Sequence, residues 1–192
     1  MIRAFVAIEL PQNHKQDVQL LVTNLQALPD SHIIRWVKPQ AFHLTLSFLG
    51  DTDPEQIPEI CTSLSNVAKN ISPFECALQD LGAFPNWQRL RVLHLQIADP
   101  SGQLVSLQRA VESGLQPLGF QPERRAYNPH LTLGRARNGV SRGALERLVH
   151  RVRQAELPDK ACWVTNEFHL IRSDLRPTGP VYSTLESFRL GS

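Results

Sequence analysis

An α+β fold built twice over is what this sequence predicts, and three observations predict it. Eight short segments alternate apolar and polar residues with a period of two. Four others repeat apolar residues at helical spacing. Several of these elements recur after a shift of 87 residues. Two similar halves related by a pseudo-twofold axis would set equivalent strands on opposite walls of one cleft. Residues 1–192 are accordingly expected to form a single bilobal domain with two interleaved lobes.

The expected strands are Arg3–Leu10, Ile33–Val37, His43–Leu49, Phe74–Leu81, Arg91–Ala98, His130–Arg137, Cys162–Ile171 and Val181–Leu190. The first helix, Gln12–Leu28, carries Val18, Leu21, Val22 and Leu25 on one face. The second, Pro54–Ala68, has Asp53 as N-cap and Pro54 in its first turn. The third, Ser101–Leu118, repeats Leu104, Leu107, Val111 and Leu115, and the fourth, Ser141–Val152, is capped by Ser141. Turns are expected at Gly50-Asp51, Pro85-Asn86, Gly119 and Pro177–Pro180. Shifted by 87, residues 5–10 fall on 92–97, helix 12–28 on 99–115, helix 54–68 on 141–155 and strand 74–81 on 161–168.

Composition narrows the class. Apolar residues make up 42% and charged residues 20% of the 192, as in ordinary globular chains. No apolar run approaches the roughly 18 residues that a membrane span needs. The segment Met1–Glu9 reads as a first strand, because Glu9 and Pro11 interrupt it and no small-residue cleavage site follows. Cys61, Cys76 and Cys162 are odd in number and lack metal or redox spacing, which favours a reducing cytoplasm and three small buried hydrophobes. Net charge is only +2, but residues 123–153 hold eight Arg against two Glu, a local +6. Arginine outnumbers lysine 16 to 4. That stretch suits an anionic partner, or else is a solvated helix face.

Chemistry concentrates in two tetrapeptides, His43-Leu44-Thr45-Leu46 and His130-Leu131-Thr132-Leu133. With 7 His and 8 Thr in the chain, one His-x-Thr is expected by chance about 0.3 times, so a single copy says little. Two copies of His-Leu-Thr-Leu at equivalent places in two half-chains say far more. Strand alternation puts each His and Thr on one face and the two Leu on the other. Each half thus offers a cleft one imidazole and one hydroxyl. Histidine titrates near neutrality, so one ring can act as base and its partner as acid across a phosphodiester. The Thr hydroxyls can donate to the non-bridging phosphate oxygens. A strained cyclic phosphate with a sugar oxygen as leaving group asks for little further electrophilic help.

The paired motifs, the duplication and their flanking phrases resemble the 2H phosphoesterase superfamily, and within it the RNA 2′,3′-cyclic phosphodiesterases once named 2′-5′ RNA ligases. The phrases are RAFVAIELP (3–11), RWVKPQAFHLTLSFLG (35–50), GAFP (82–85), ERRAYNPHLTLGR (123–135) and the terminal Val181-Tyr182 and Phe188. The resemblance spans essentially the whole chain. It implies antiparallel sheets lining a central cleft with helices outside. It also implies hydrolysis of RNA 2′,3′-cyclic phosphate ends, tRNA fragments among them, to 2′-phosphomonoesters, with reversible 2′-5′ ligation as a side activity. It gives His43 the role of proton donor and His130 that of proton acceptor.

Phe48 and Arg135 each lie five residues beyond a motif His. Strict alternation turns both away from the cleft, and a bulge at Ser47 or Gly134 would turn them back. The resemblance supports Arg135 as a phosphate or nucleotide contact; Phe48 either stacks on a base or packs in the core. Tyr127, Arg124 and Arg125 precede the second motif and are further candidates for RNA contact. His94 and His169, on expected strands, read as satisfied structural histidines. No His/Cys/Asp pattern calls for a metal, and no cofactor is expected. Nothing points to ATP as a requirement. A monomer is expected. Two other readings compete: a phosphodiesterase for small cyclic nucleotides or ADP-ribose 1″,2″-cyclic phosphate, and a module that binds RNA or nucleotide without turnover.

Overall fold

The computed structural model describes residues 1–157, 162–177 and 179–191. In chain order its elements are β1 (Ile2–Glu9), α1 (Gln12–Gln26), β2 (Ile34–Trp36), β3 (His43–Thr52), α2 (Ile57–Lys69), β4 (Phe74–Phe84), β5 (Val92–Ala98), α3 (Gln103–Leu115), β6 (His130–Ala136), α4 (Arg142–Val152), β7 (Cys162–Thr165), β8 (Glu167–Arg176) and β9 (Gly179–Arg189). The order of strands is β7-β4-β5-β6-β3-β1-β8-β9, with β2 on β6, and all pairings are antiparallel. The expected two sheets are therefore the two wings of one curled sheet. They meet where β3 and β6 pair through Leu44 and Leu131. Further along β6, Gly134, Arg135 and Ala136 pair with β2 instead, so the wings splay apart.

The wings exchange strands. β4 belongs to the first half of the chain yet pairs with β5 of the second. β8, of the second half, pairs with β1 of the first. The expected single strand Cys162–Ile171 is corrected to two strands parted at Asn166. β7 joins β4 at one edge of the sheet, and β8 joins β1 in the other wing. One extended run can thus serve two wings, which periodicity alone does not reveal. The expected turn at Gly50-Asp51 lies instead within β3: Gly50 adopts a left-handed φ of +71° beside a register shift, the signature of a bulge. Thr178, in the expected turn Pro177–Pro180, lies outside the described residues.

Helix signals hold at the caps. Ser141 Oγ accepts from Ala144 N at 3.3 Å, and an Asp53 carboxylate oxygen accepts from Glu55 N at 3.0 Å. Pro54–Gln56 forms a short 3₁₀ turn that leads into α2. The helices bury Val18, Leu21, Val22 and Leu25 (α1), Ile60 and Leu64 (α2), Leu104, Leu107, Val111 and Leu115 (α3), and Leu148 and Val152 (α4). These join Val6, Ile8, Leu44, Leu46, Leu95, Leu131 and Leu133 in one core on the helix side of the sheet. Each such side chain contributes about 1.5–3 kcal/mol by leaving water. The other sheet face carries a small apolar group, Phe5, Ala7 and Ile171 with Tyr182 against it. Of the cysteines only Cys76 is buried; Cys61 is half-buried and Cys162 is exposed, because the edge strand β7 turns it outward.

Candidate active site

The seam between the wings brings the two motifs together. Leu44 and Leu131 are cross-strand partners, and both are fully buried on the core side. One residue either way, antiparallel register sets His43 alongside Thr132 and Thr45 alongside His130. All four are half-exposed on the opposite face, where they can meet solvent or ligand. Tyr127 fastens the arrangement: its hydroxyl donates to the Thr45 carbonyl at 2.9 Å, tying the approach to the second motif onto the strand of the first. Tyr127, weighed above as an RNA contact, is spent on this bond, and burial pushes its phenol well up.

The imidazoles are held alike. His130 Nδ1–H donates to the Asn128 carbonyl at 2.7 Å, and His43 has a hydrogen bond to the backbone of Ala41. Ala41 and Asn128 are themselves 87 residues apart. In His130 the carbonyl partner fixes the proton on Nδ1 and leaves Nε2 of the neutral ring as the acceptor. Each ring also sits against aromatic faces. Phe5 lies 4.7 Å and Tyr182 5.2 Å from His43 between ring centroids. Phe84 lies 4.8 Å and His94 5.2 Å from His130. Burial lowers His43 to about 4, against a raising contribution from the Ala41 bond and the Glu9 charge; Lys15 and His130 push it down further. His130 is lowered too, by burial first, with the Asn128 bond opposing and Arg135 adding to the fall. His130 and His43 are thus close enough for charge on one to disfavour charge on the other.

Two equivalent bulges aim the flanking residues. β1 pairs Val6 with Ser47 and Ala7 with Thr45, so Leu46 is the extra residue. β5 pairs Leu93 with Gly134 and His94 with Thr132, so Leu133 is extra. The bulges fall one residue before the expected Ser47 and Gly134. They have the expected effect: Phe48, 75% exposed, approaches Phe5 on the cleft face at 6.2 Å, and Arg135 acts by its charge on His130 and Tyr182. Core packing of Phe48 is thereby corrected. Gly134 has a different reason, since a Cβ there would lie 2.4 Å from Ile34 Cγ2 of β2.

Some site residues escaped sequence reasoning. Phe5, Phe84 and Tyr182 gave no signal beyond lying in quoted phrases. His94 is a correction: it is 2% exposed, stacked on Phe84 at 4.1 Å, and neither ring nitrogen makes a well-aligned hydrogen bond among the described residues, although the Val92 backbone lies close enough to favour the charged ring. Burial, with the His130 charge, lowers it to about 4. His169 fits the structural expectation, bonded through Nδ1 to Ser187 Oγ at 2.9 Å. The basic stretch is partly neutralised: Arg142 pairs with Glu146, and Arg147 and Arg151 pair with Asp30. Arg124 and Arg125 are exposed. Among the described residues no group of three or more His, Cys, Asp or Glu could hold a metal ion, and no helix is long and apolar enough to cross a membrane.

Residues 11–177 match the sequence model of the 2′-5′ RNA ligase superfamily. This chain belongs to that superfamily. A member from Methanothermobacter thermautotrophicus, named RNA 2′,3′-cyclic phosphodiesterase, is 31% identical over 189 residues, covering 98% of this chain and 99% of the relative. A protein of the same name from Aquifex aeolicus is 30% identical over 199 residues, covering 100% and 98%. The same fold is found in solved structures. TT0787 of Thermus thermophilus superposes with a TM-score of 0.79 at 26% identity, over 99% of this chain and 98% of that one. LigT of E. coli, solved as a complex with 3′-AMP, shares the fold with a TM-score of 0.77 over 100% of this chain and 99% of that one.

Proposed function

We propose that this protein hydrolyses RNA 2′,3′-cyclic phosphate ends to 2′-phosphomonoesters by acid–base catalysis between His43 and His130, with residues 1–192 working as one unit. The observation that carries the reading is the seam itself: two His-Leu-Thr-Leu strands meet at Leu44 and Leu131, and a backbone carbonyl holds the imidazole in each. The full-length relatives named RNA 2′,3′-cyclic phosphodiesterase support the same substrate.

Chemically the steps balance as follows. The cyclic phosphate lies over the seam, its non-bridging oxygens accepting from Thr45 and Thr132. A water attacks phosphorus opposite the 3′ oxygen and gives its proton to Nε2 of neutral His130. As the P–O3′ bond breaks, Nε2–H of protonated His43 gives its proton to the leaving 3′ oxygen. The product keeps the phosphate on the 2′ oxygen. Solvent then returns the proton from His130 and resupplies His43. With a 5′ hydroxyl attacking in place of water, the same transfers make a 2′-5′ linkage and release the 3′ hydroxyl, and their reversal re-forms the cyclic phosphate. Burial keeps both rings uncharged at pH 7, and the negative charge of the bound phosphate raises them so that His43 can take up its proton. Arg135 then meets a phosphate, and the exposed Phe48 ring supports a base next to it.

The test is incubation of the protein with a 2′,3′-cyclic-phosphate oligonucleotide in EDTA, beside the cyclic mononucleotides. Conversion of the oligonucleotide to a 2′-phosphate end, faster than that of the mononucleotides, is the expected result. Metal-dependent conversion, or binding without conversion, overturns the proposal.

A further inference from the structure

The pseudo-twofold extends beyond the motifs, residue for residue, into the strands beside them. Glu9 is the cross-strand partner of His43, and Gln96, 87 positions on, is the partner of His130. Ala7 faces Thr45 as His94 faces Thr132, and Phe5 faces Phe48 as Val92 faces Arg135. The register is the same on both sides, bulge included. What differs is charge. A carboxylate adjoins His43 where an uncharged amide adjoins His130. A phenyl ring lies beyond the first motif where a guanidinium lies beyond the second.

From these departures we infer that Glu9 is a positioning residue for the reaction: its carboxylate offsets the burial of His43 and favours a proton there once phosphate binds, whereas His130 has only the uncharged Gln96 in the equivalent place, so that an otherwise twofold site has one direction of proton transfer. The inference rests on the reading of the two histidines as an acid–base pair. It goes beyond that reading by naming what breaks the tie between two rings with matching backbone anchors.

Burial is the largest influence on His43 and lowers it, and charged groups from each neighbouring element act beside it. Glu9 comes from β1, Lys15 from α1 and His130 from β6, with the Tyr182 ring from β9 against its edge. Lys15 Nζ donates to Glu9 Oε2 at 2.8 Å. Burial raises the Glu9 carboxyl, but the Lys15 bond and the charges of Lys15, His169 and His43 together bring it below its ordinary value, so Glu9 is ionised at neutral pH. The Lys15 charge itself opposes protonation of His43. Glu9 and Lys15 therefore pull His43 in opposite directions, and Glu9 holds the cross-strand position directly facing it. His169 of β8 also lies near enough to act on Glu9. On the His130 side the Arg135 charge disfavours positive charge on that ring, and the uncharged His94 ring lies 5.2 Å away.

Histidine ring titrations by NMR, with inorganic phosphate as the probe, test this without turnover. In Glu9→Gln the His43 pKa is expected to drop by about one unit while His130 barely moves. In Lys15→Met it is expected to rise. In Gln96→Glu the His130 pKa rises, and kcat on a cyclic-phosphate oligonucleotide falls about tenfold because the base now holds a proton. The limb of the kcat–pH profile set by the acid should shift with His43 in Glu9→Gln. An unchanged His43 titration in both Glu9→Gln and Lys15→Met, or equal shifts at the two rings, overturns the role of Glu9. If instead His43→Ala and His130→Ala turn over normally, it is the acid–base reading that fails, whatever Glu9 does to the titrations. Glu9 is exposed, so its variant tests charge rather than folding.

Discussion

Leu44 and Leu131, 87 residues apart in the chain, are antiparallel partners across the seam of the sheet, and neither exposes any surface. This pair fixes the depth and the rotation of both motif strands. With the leucines pinned in the core, alternation leaves the His and Thr of each strand no choice but the cleft.

Removal of either imidazole should therefore stop turnover without unfolding the chain. His43→Ala and His130→Ala are each expected to lose about 10²–10⁴-fold in kcat on a cyclic-phosphate oligonucleotide. Circular dichroism should remain that of the parent. Activity within threefold of the parent in either variant would remove that ring from the chemistry.

Thr45→Val and Thr132→Val keep the β-branched shape and lose the hydroxyl. Both positions are half-exposed, so the fold should tolerate the change. Loss of a donor to the developing phosphate charge is expected to lower kcat by about 10–1000-fold. Stopped-flow or quenched assays of the two variants decide it, and full activity in both would leave the hydroxyls as bystanders.

The rate should follow a bell in pH, because one imidazole must be charged while the other is neutral. Below the bell His130 is protonated and cannot accept; above it His43 is neutral and cannot donate. Bound phosphate sets both limbs higher than the free rings, since an anion favours the charged form. A rate that climbs steadily to about pH 9 contradicts the two-histidine scheme.

Stability should depend on pH in the opposite sense to a salt-bridged histidine. His43 and His94 are each held at about 4 in the folded chain, against an ordinary value of 6.5. Above 6.5 neither state binds these protons, and the fold has its full stability. Between 6.5 and 4 the unfolded chain takes up protons that the folded chain refuses, so stability falls as the pH drops through that window. Thermal melts from pH 7 to pH 4 should show the decline, and His94→Phe should make it shallower. A melting temperature flat across the window would mean that the rings are not desolvated.

Tyr127→Phe deletes the bond to the Thr45 carbonyl and nothing else. A loss of about 0.5–1.5 kcal/mol is expected, as for an ordinary hydrogen bond. Because the bond anchors a motif strand, a several-fold fall in kcat should accompany it. Urea titration and a kinetic assay of the same preparation check both effects; unaltered stability would show that water replaces the phenol freely.

Strand alternation made the motif faces readable before any tertiary structure, because a side chain's face follows from its own backbone. The same locality made the α1 and α3 core positions and the Ser141 and Asp53 caps readable. The repeat of 87 residues went further and foretold that the two motifs and their flanking residues would be equivalent, and the structure extends this to Ala41 and Asn128 behind the rings. Alternation failed where a bulge intervened: Phe48 and Arg135 change faces because Leu46 and Leu133 are extra residues opposite β1 and β5.

Taken alone, the amino-acid order determined two like halves, each offering an imidazole and a hydroxyl from one strand face. Tertiary structure decided which strands lie side by side. It split 162–171 between two wings, lent β4 to the second half and β8 to the first, and set Phe5, Tyr182, Phe84 and His94 around the imidazoles. The physical reason is range. A side chain's direction is settled by its own φ and ψ, whereas a strand's partner is settled by competition among all strands to cover one core.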